Sequence, residues 1–430
     1  METTLESPRI KKPGPRPGQD FQVDSLRRRS SGLKKILFMT HHFPPDGNAP
    51  ASRVREMCRR WVEEGYEVTV VTSTPDRART VDGIKVIRVW SPMRSKTGLV
   101  GRAVSYLSYV LTGTIAALST RRPDILIATS PHIFCGLAGI LVKFIRRVPF
   151  VLEIRDVWPA SISAVGAVKS RTALRSLEWL EQTMYRLATH IVTVGDGYKQ
   201  QLVSHCAPTE KVSVITNGVD PSIYEPREPD RDLRASHGVE DKFVCAVVGT
   251  IGLASGLSVV LRAARSLKER RRHDIVFMLV GDGAVRHELQ REAEAQGLDN
   301  VVFTGRQPKH LMPAYLSSVD ACLVHLRRNG VFQHVLPSKI FEAAAMRRPI
   351  ILGVDGFAAT LVEDAGAGIL IEPENSEQLV EAVLRLADDS ALAGRFGESG
   401  RSYMLRHYNR DQLAQDYLDV LHSVCEGEGT

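Results

Sequence analysis

Paired cysteines are missing from this chain. Its six cysteines, Cys58, Cys135, Cys206, Cys245, Cys322 and Cys425, are scattered; none forms a C-x-x-C and none has a histidine at ligand spacing. That excludes a structural zinc site and leaves reduced thiols in a cytosol as the expectation. An apolar core after the first charges is missing too, so no secretory signal peptide is expected. A long hydrophobic run is equally absent: the best candidate, "AVSYLSYVLTGTIAAL", has sixteen residues and includes Ser, Thr and Gly, short of the roughly 20 apolar residues that span a bilayer. Finally, residues 92–123 contain no acid at all.

What remains is ordinary in amount and uneven in placement. The 430 residues, 43% hydrophobic and 24% charged, suit a globular protein of two or three domains. The net charge is +7, but residues 1–35 carry +5 of it, leaving +2 for the rest. The excess comes from Arg9, Lys11, Lys12, Arg16, Arg27, Arg28, Arg29, Lys34 and Lys35 against Glu2, Glu6, Asp20 and Asp24. The body is near neutral, so the basic pI does not argue for nucleic acid. Rich in Pro, Gly and charge, the first 33 residues cannot bury enough surface to offset their ordering entropy. They read as a disordered basic extension, or as a polybasic arm for anionic lipid.

From residue 34 short β-branched runs alternate with amphipathic stretches. The runs are "KILFMT", "EVTVVTS", "IKVIRV", "ILIATS", "FVLEIRD", "HIVTVG" and "VSVITNG", with helix-like segments such as 50–64 and 173–188 between them. Near-continuous apolar strands separated by helices predict a parallel sheet covered on both faces. The Pro- and acid-rich "NGVDPSIYEPREPD" reads as a linker. A second series follows: "FVCAVVG", "IVFMLVGDG", "VVFTG", "ACLVHL", "PIILGV" and "GILIEP". The expected organisation is therefore α/β, with a first doubly wound domain over 34–220, a second over 221–404, and a helix over 405–430 packing back on the first. Sites in such sheets lie at the carboxyl ends of the strands.

The acid-free stretch 92–123 holds Arg94, Lys96, Arg102, Arg121 and Arg122. It reads either as an ordinary buried helix or as one lying in a membrane surface. "GLAGILVKFIRRVPF" adds Lys143, Arg146 and Arg147 and leans toward the membrane.

Chemistry concentrates in "LPSKIFE" (336–342). Ser338 is an N-cap candidate, which puts Lys339 at the first helical position. Free N–H groups and the helix dipole favour an anion there, and a lysine strengthens the site. Glu342 lies one turn on, on the same face, where a carboxylate can grip a vicinal diol. The alternative is a surface Lys–Glu pair with no ligand. Gly-containing strand ends support the first reading: Gly281 and Gly283 in "VGDG", Arg306 and Gln307 in "TGRQP", and Gly249 and Gly252 in "GTIGLASG". Each permits close backbone approach, and the last suits a pyrophosphate. His41 and His42 lack an accompanying carboxylate cluster and read as loop residues rather than metal ligands. Asp196 reads as a polar turn residue, and 327–334 as a loop over a ligand or a plain surface loop.

On these residues the chain resembles the GT-B glycosyltransferases of family 4, in the branch that builds O-antigen, colanic-acid or capsule sugars on a lipid carrier. The resemblance runs from about residue 34 and rests on "HHFPPDGNAPASRVREM", "EIRDVWP", "VITNGVD", "GTIGLASGL", "VGDG" and "LPSKIFEAAAMRRPIILG". It implies two facing Rossmann-like domains with a C-terminal helix crossing back. It also implies roles. Glu342, as the second Glu of the family's E-x7-E, binds the ribose. Gly281 and Gly283 line the nucleotide pocket, with Gly249, Gly252 and Ser338 around the phosphates. Arg306 and Gln307 read the base, and Gly47 approaches the donor phosphates from the first domain. Arg155 stands where many relatives have a His beside the reacting sugar, followed by Asp156. His334 replaces the first Glu of the motif, Thr250 and Ser255 replace the usual Arg and Lys, and Thr360 replaces a further Glu. Phosphate charge then falls to Lys339, with Arg327 or Arg328 as further candidates. Catalytic roles are thus expected of Arg155, Asp156, Lys339 and His334.

The activity implied is retaining transfer of a hexosyl or acetamidosugar group (EC 2.4.-) from a nucleotide, with UDP preferred, to a polyprenyl-diphosphate-linked saccharide. No cofactor is expected: the resemblance implies metal independence, and no D-x-D is placed to hold a cation. The expected setting is the cytoplasm, on an anionic inner membrane face, with no nucleic acid as partner. Two rivals remain: a nucleotide-sugar epimerase of the same architecture, and a non-catalytic nucleotide- or lipid-binding partner in polysaccharide assembly.

Overall fold

The computed structural model describes residues 32–91, 99–129, 133–156 and 170–427. Residues 1–31 of the basic extension lie outside them, as do Arg94, Lys96 and the end of "EIRDVWP"; Leu33, at the end of the extension, is buried in a core of the first unit.

In chain order the first part runs β1 (Lys35–Thr40), α1 (Ala49–Glu63), β2 (Glu67–Thr72), β3 (Thr80–Val81), β4 (Ile84–Arg88), α2 (Leu99–Ser119), β5 (Ile125–Thr129) and α3 (Ile133–Arg146). It continues with β6 (Phe150–Ile154), α4 (Arg171–Leu187), β7 (His190–Thr193), α5 (Asp196–Ser204) and β8 (Val212–Val214). The second part comprises α6 (Arg231–Ser236), β9 (Phe243–Val248), α7 (Ser258–Glu269), β10 (Ile275–Val280), α8 (Arg286–Ala295), β11 (Val301–Gly305), α9 (Met312–Ser317) and β12 (Ala321–His325). After it come α10 (Ser338–Ala345), β13 (Ile350–Gly353), α11 (Phe357–Asp364), β14 (Gly368–Leu370), α12 (Ser376–Asp388), α13 (Ser390–His407) and α14 (Arg410–Gly427).

The chain folds as two units, dividing after Thr216 and again after Asn409, so that α14 belongs with the first unit. The first sheet has the order β3-β4-β2-β1-β5-β6-β7-β8 and is parallel except where β3 pairs with β4. The second has the order β11-β10-β9-β12-β13-β14, with every pair parallel. Successive side chains of its strands serve opposite faces. Val244, Ala246, Val248, Met278 and Val324 enter one core, while Cys245, Val247, Phe277, Leu279 and Leu323 enter the other. Each sheet is thus covered on both sides, which is why its strands read as unbroken apolar runs.

The strand order reverses between β1 and β5 in the first unit and between β9 and β12 in the second. Beside such a reversal, crossovers on the two sides leave a crevice at the carboxyl ends of the strands.

Three expectations need correction. The stretch 217–230 is no loose linker: Val219 and Tyr224 are buried in a core of the second unit, and buried Asp220 accepts from the Ser222 amide and hydroxyl at 3.0 and 2.6 Å. The terminal helix does not start at 405. Tyr408 leaves helical geometry, Asn409 bridges Val219 and the Val219 N–H donates to Tyr408 O, so this short pairing separates α13 from α14. The helix expected within 92–123 is not fully buried, which corrects the buried alternative and leaves the membrane-surface alternative open. Tyr109 and Ala117 of α2 are buried, while Val104, Leu107, Leu111 and Ile115 face out. Among the described residues no helix is long and apolar enough to cross a membrane.

Candidate functional site

Three strand ends of the second unit meet around glycines. Gly281 has φ +143°, and a Cβ there would stand 1.9 Å from Gly249 O. A Cβ on Gly283 would stand 2.2 Å from Ile251 O. Only hydrogen fits at either place, so the loop after β9 lies directly on the loop after β10. Backbone bonds lace them together: Gly249 N–H donates to Val280 O, Ile251 N–H to Asp282 O, and Gly281 N–H to Gly305 O. The Ser255 amide is likewise committed to Gly252 O. These amides hold the loops to one another rather than pointing at an open cradle. Gly252 differs, because a Cβ there would meet only Thr250 at an ordinary 3.6 Å.

Over this platform lies Lys339. Its Cε is 2.9 Å and its Nζ 3.6 Å from where a Gly249 Cβ would sit, so the absence of that methyl makes room for the lysine. Lys339 and Glu342 line one narrow recess of about 10 Å³, room for about one water, with Val248, Leu316, Cys322, Leu323, Val324 and Ala343, at the β9/β12 reversal. Burial pushes the ammonium down to about 8, against the opposing pull of Glu342 and Cys322. The Cys322 thiol is itself raised to about 12 by burial. Neither Lys339 nor Glu342 is an exposed residue, so the bland surface-pair reading fails. Ser338 is not the cap: Pro337 holds that position without a side-chain bond, and Ser338 is the first helical residue. A proline there has the extended ψ that starts a helix, which moves Lys339 one place further into the turn.

His325 ends β12 and was not singled out in the sequence. Its Nδ1 lies 2.7 Å from Ser255 O, and its Nε2 accepts the Glu374 N–H at 2.8 Å. A carbonyl can only accept and an amide only donate, so the ring is neutral with its proton on Nδ1. Burial, partly offset by the Ser255 bond, lowers its pKa in keeping with this. The ring bridges the two sides of the strand-order reversal and fixes the loop 249–257. Its one legible signal was a histidine closing an otherwise apolar strand.

The remaining expected residues of this unit are dispersed. Arg306 is 86% exposed and stands 4.0 Å from Asp282, whose carboxyl the Gly283 amide and Arg286 hold below its usual range. Gln307 donates to Thr304 O at 2.8 Å. His334 closes a 3-10 turn, Gly330–His334, with its ring 6.0 Å from Phe357. It is not among the residues lining the recess, and burial lowers its pKa. Arg328 pairs with Glu372 at 2.9 Å, and Arg327 donates its amide to Ala254 O.

Gly47, Arg155 and Asp156 belong to the first unit. Gly47 is exposed between β1 and α1. The loop around it is tied by His42 to Asp46 at 2.9 Å and by Thr74 to Asp46 at 3.0 Å. Asn48 caps α1 through the Ala51 N–H. Arg155 follows β6 beside a buried charge cluster. Glu153 accepts from Thr129 at 2.8 Å and pairs with Arg53 at 3.4 Å. Arg53 donates to Thr216 O and Ile215 O, and Arg410 of α14 pairs with Glu56 at 3.1 Å. Burial first, then Arg53 and Arg410, push the Arg155 guanidinium down to about 10 despite Glu153. It remains cationic at neutral pH. Asp156 acts electrostatically on Tyr198, whose hydroxyl burial raises.

Two family models match the chain: "Glycosyl transferase 4-like domain" over residues 48–218 and "Glycosyl transferases group 1" over 229–403. The O-antigen chain mannosyltransferase C of Escherichia coli is 31% identical over 268 residues, covering 61% of this chain and 68% of that one. The putative colanic acid biosynthesis glycosyl transferase WcaI of Escherichia coli K12 is 22% identical over 413 residues, covering 90% and 99%. Among solved structures, HepE of Anabaena in complex with UDP-glucose superposes with a TM-score of 0.70 at 19% identity, covering 90% and 99%.

Proposed function

Because the chain belongs to the GT-B glycosyltransferases of family 4, working in polysaccharide biosynthesis, we propose that it moves a hexosyl or acetamidosugar unit from UDP to a polyprenyl-diphosphate-linked saccharide, with retention, at the cytoplasmic face of a membrane. One observation carries the reading: Lys339 and Glu342 share a recess at the strand-order reversal, with the lysine seated over Gly249. A lysine ammonium suits a diphosphate, and a carboxylate one turn away suits the two hydroxyls of a ribose.

In this proposal the anomeric carbon–oxygen bond to the diphosphate breaks as the acceptor hydroxyl oxygen bonds to that carbon on the same face. The acceptor proton ends on the departing diphosphate. Lys339 stabilises the negative charge that develops there, so the step is assigned no metal and should survive chelation by EDTA. Arg155 and Asp156 serve the sugar or acceptor end, and Gly47 the donor phosphates. Arg306 and Gln307 serve the base, and His334 remains a candidate beside the sugar. The amides of Gly249, Ile251, Ser255 and Gly281 are spent on backbone bonds, and Lys339 serves as the principal cation for the leaving group.

The test is transfer to native membranes from a panel of radiolabelled UDP-sugars, with GDP-mannose as the second arm because a relative is a mannosyltransferase. Product anomer by NMR reads stereochemistry. Lys339→Ala and Glu342→Ala should both abolish transfer. Full activity in either variant removes that residue's assignment, and turnover of GDP-mannose alone replaces UDP.

A further inference from the structure

Large apolar side chains are exposed on one side of the first unit. On α2, Val104, Leu107, Leu111 and Ile115 are 43%, 56%, 65% and 59% exposed. Steps of three and four residues put them in one stripe along the helix. The opposite face is anchored, with Tyr109 buried and its hydroxyl donating to Val71 O at 3.0 Å. α3 packs against α2 and adds Leu141, Phe144 and Ile145, with Phe144 and Ile145 about three-fifths exposed. Trp90 is also exposed, and its carbonyl accepts from Thr112 of α2 at 3.0 Å. Most of the exposed large hydrophobic residues among those described lie on these elements, so this is a patch rather than the usual scatter.

The charge carried by these two helices and the residues just after them has one sign, and Asp124, the next acid along the chain, is engaged by the Lys34 and Lys35 amides. Residues 99–123 and 133–149 hold Arg102, Arg121, Arg122, Lys143, Arg146 and Arg147 and no acid. Lys143 donates to Leu187 O and Thr189, and Arg146 to Leu118 O and Thr120 O. Arg121, Arg122 and Arg147 are exposed at the carboxyl ends of the two helices. A second copy of the chain would bring these like charges together. A bilayer of anionic lipid meets both features at once, taking the apolar stripe at the acyl boundary and the guanidinium groups among phosphates.

We propose that α2 and α3 form a docking surface for anionic lipid that lays the first unit on a membrane. The inference rests on the membrane setting of the proposed function and identifies the residues that would carry it. It is tested by flotation of the full chain with vesicles of phosphatidylcholine alone or with added phosphatidylglycerol, alongside calorimetry of UDP binding. The wild type should float only with phosphatidylglycerol, and less as salt rises. Leu107→Glu/Leu111→Glu/Ile115→Glu should lose vesicle binding by about tenfold or more. Arg121→Ala/Arg147→Ala should weaken it by about fivefold for each charge removed. Both variants should keep the wild-type melting temperature and UDP affinity. Equal flotation of wild type and triple variant would overturn the proposal. So would wild-type binding to phosphatidylcholine alone, or a wild-type dimer that the triple variant makes monomeric. A wild type that binds UDP but floats with neither kind of vesicle sinks only the docking surface. Flotation without UDP binding sinks only the donor site.

Discussion

An ammonium pushed down to about 8 by burial is already part-neutral in mildly alkaline buffer, yet it must be charged to hold a diphosphate. Bound phosphates would raise its pKa, so binding takes up a proton wherever the free lysine has lost one. UDP affinity should therefore be flat below about pH 8 and fall above it, by up to tenfold per pH unit. Titrations across that range check this, and Lys339→Arg should remove the decline. The neighbouring glycines give a second contrast. Gly281→Ala would drive a methyl into Gly249 O at a φ of +143°, and should cost several kcal/mol or prevent folding. Gly252→Ala meets only a Thr250 methyl, and should shift thermal unfolding little. His325 makes a third. Its pKa is lowered in the folded protein, so the unfolded chain binds the extra proton first. Its contribution to stability is full above the ordinary histidine value near 6.5 and is lost as pH falls through the lower folded value. His325→Ala should flatten that acid limb in urea titrations and weaken UDP binding by releasing the loop 249–257.

At the scale of elements, β6, α1 and α14 are joined by buried charge. Burial alone would raise the Glu153 carboxyl, but Arg53 and Arg155, with Thr129 donating, hold it below its usual range. Glu153→Gln leaves those guanidinium groups without their carboxylate and should cost about 3–5 kcal/mol in urea unfolding. The elements themselves were largely legible in the sequence, because a strand covered on both faces is apolar throughout and announces itself. Each of the thirteen runs quoted above forms a strand. The two-residue β3 carries too little pattern to be seen. The break at Tyr408 and Asn409 was invisible because it depends on Val219, far away in sequence. The same distance hid His325, whose partners Ser255 and Glu374 come from other loops. Lys339 and Glu342 were legible because they sit on one helical turn, and their capping was misread because Pro337 competes with Ser338 for the same position.

For the whole molecule, two family matches over residues 48–218 and 229–403 and two largely parallel sheets make glycosyl transfer the frame, and the proposed docking pair α2–α3 would give it a place to work. Glycosyl transfer depends on the donor recess. Calorimetric titration of UDP into wild type, Lys339→Ala and Glu342→Ala, repeated with UDP lacking its ribose hydroxyls, tests that recess most directly. The wild type should bind UDP and prefer the intact ribose. Lys339→Ala should lose about 10- to 100-fold in affinity, as expected for a hydrogen bond to a charged group, and Glu342→Ala should lose the ribose preference. No uptake of any nucleoside diphosphate by the wild type, or unchanged affinity and preference in both variants, would contradict the assignment.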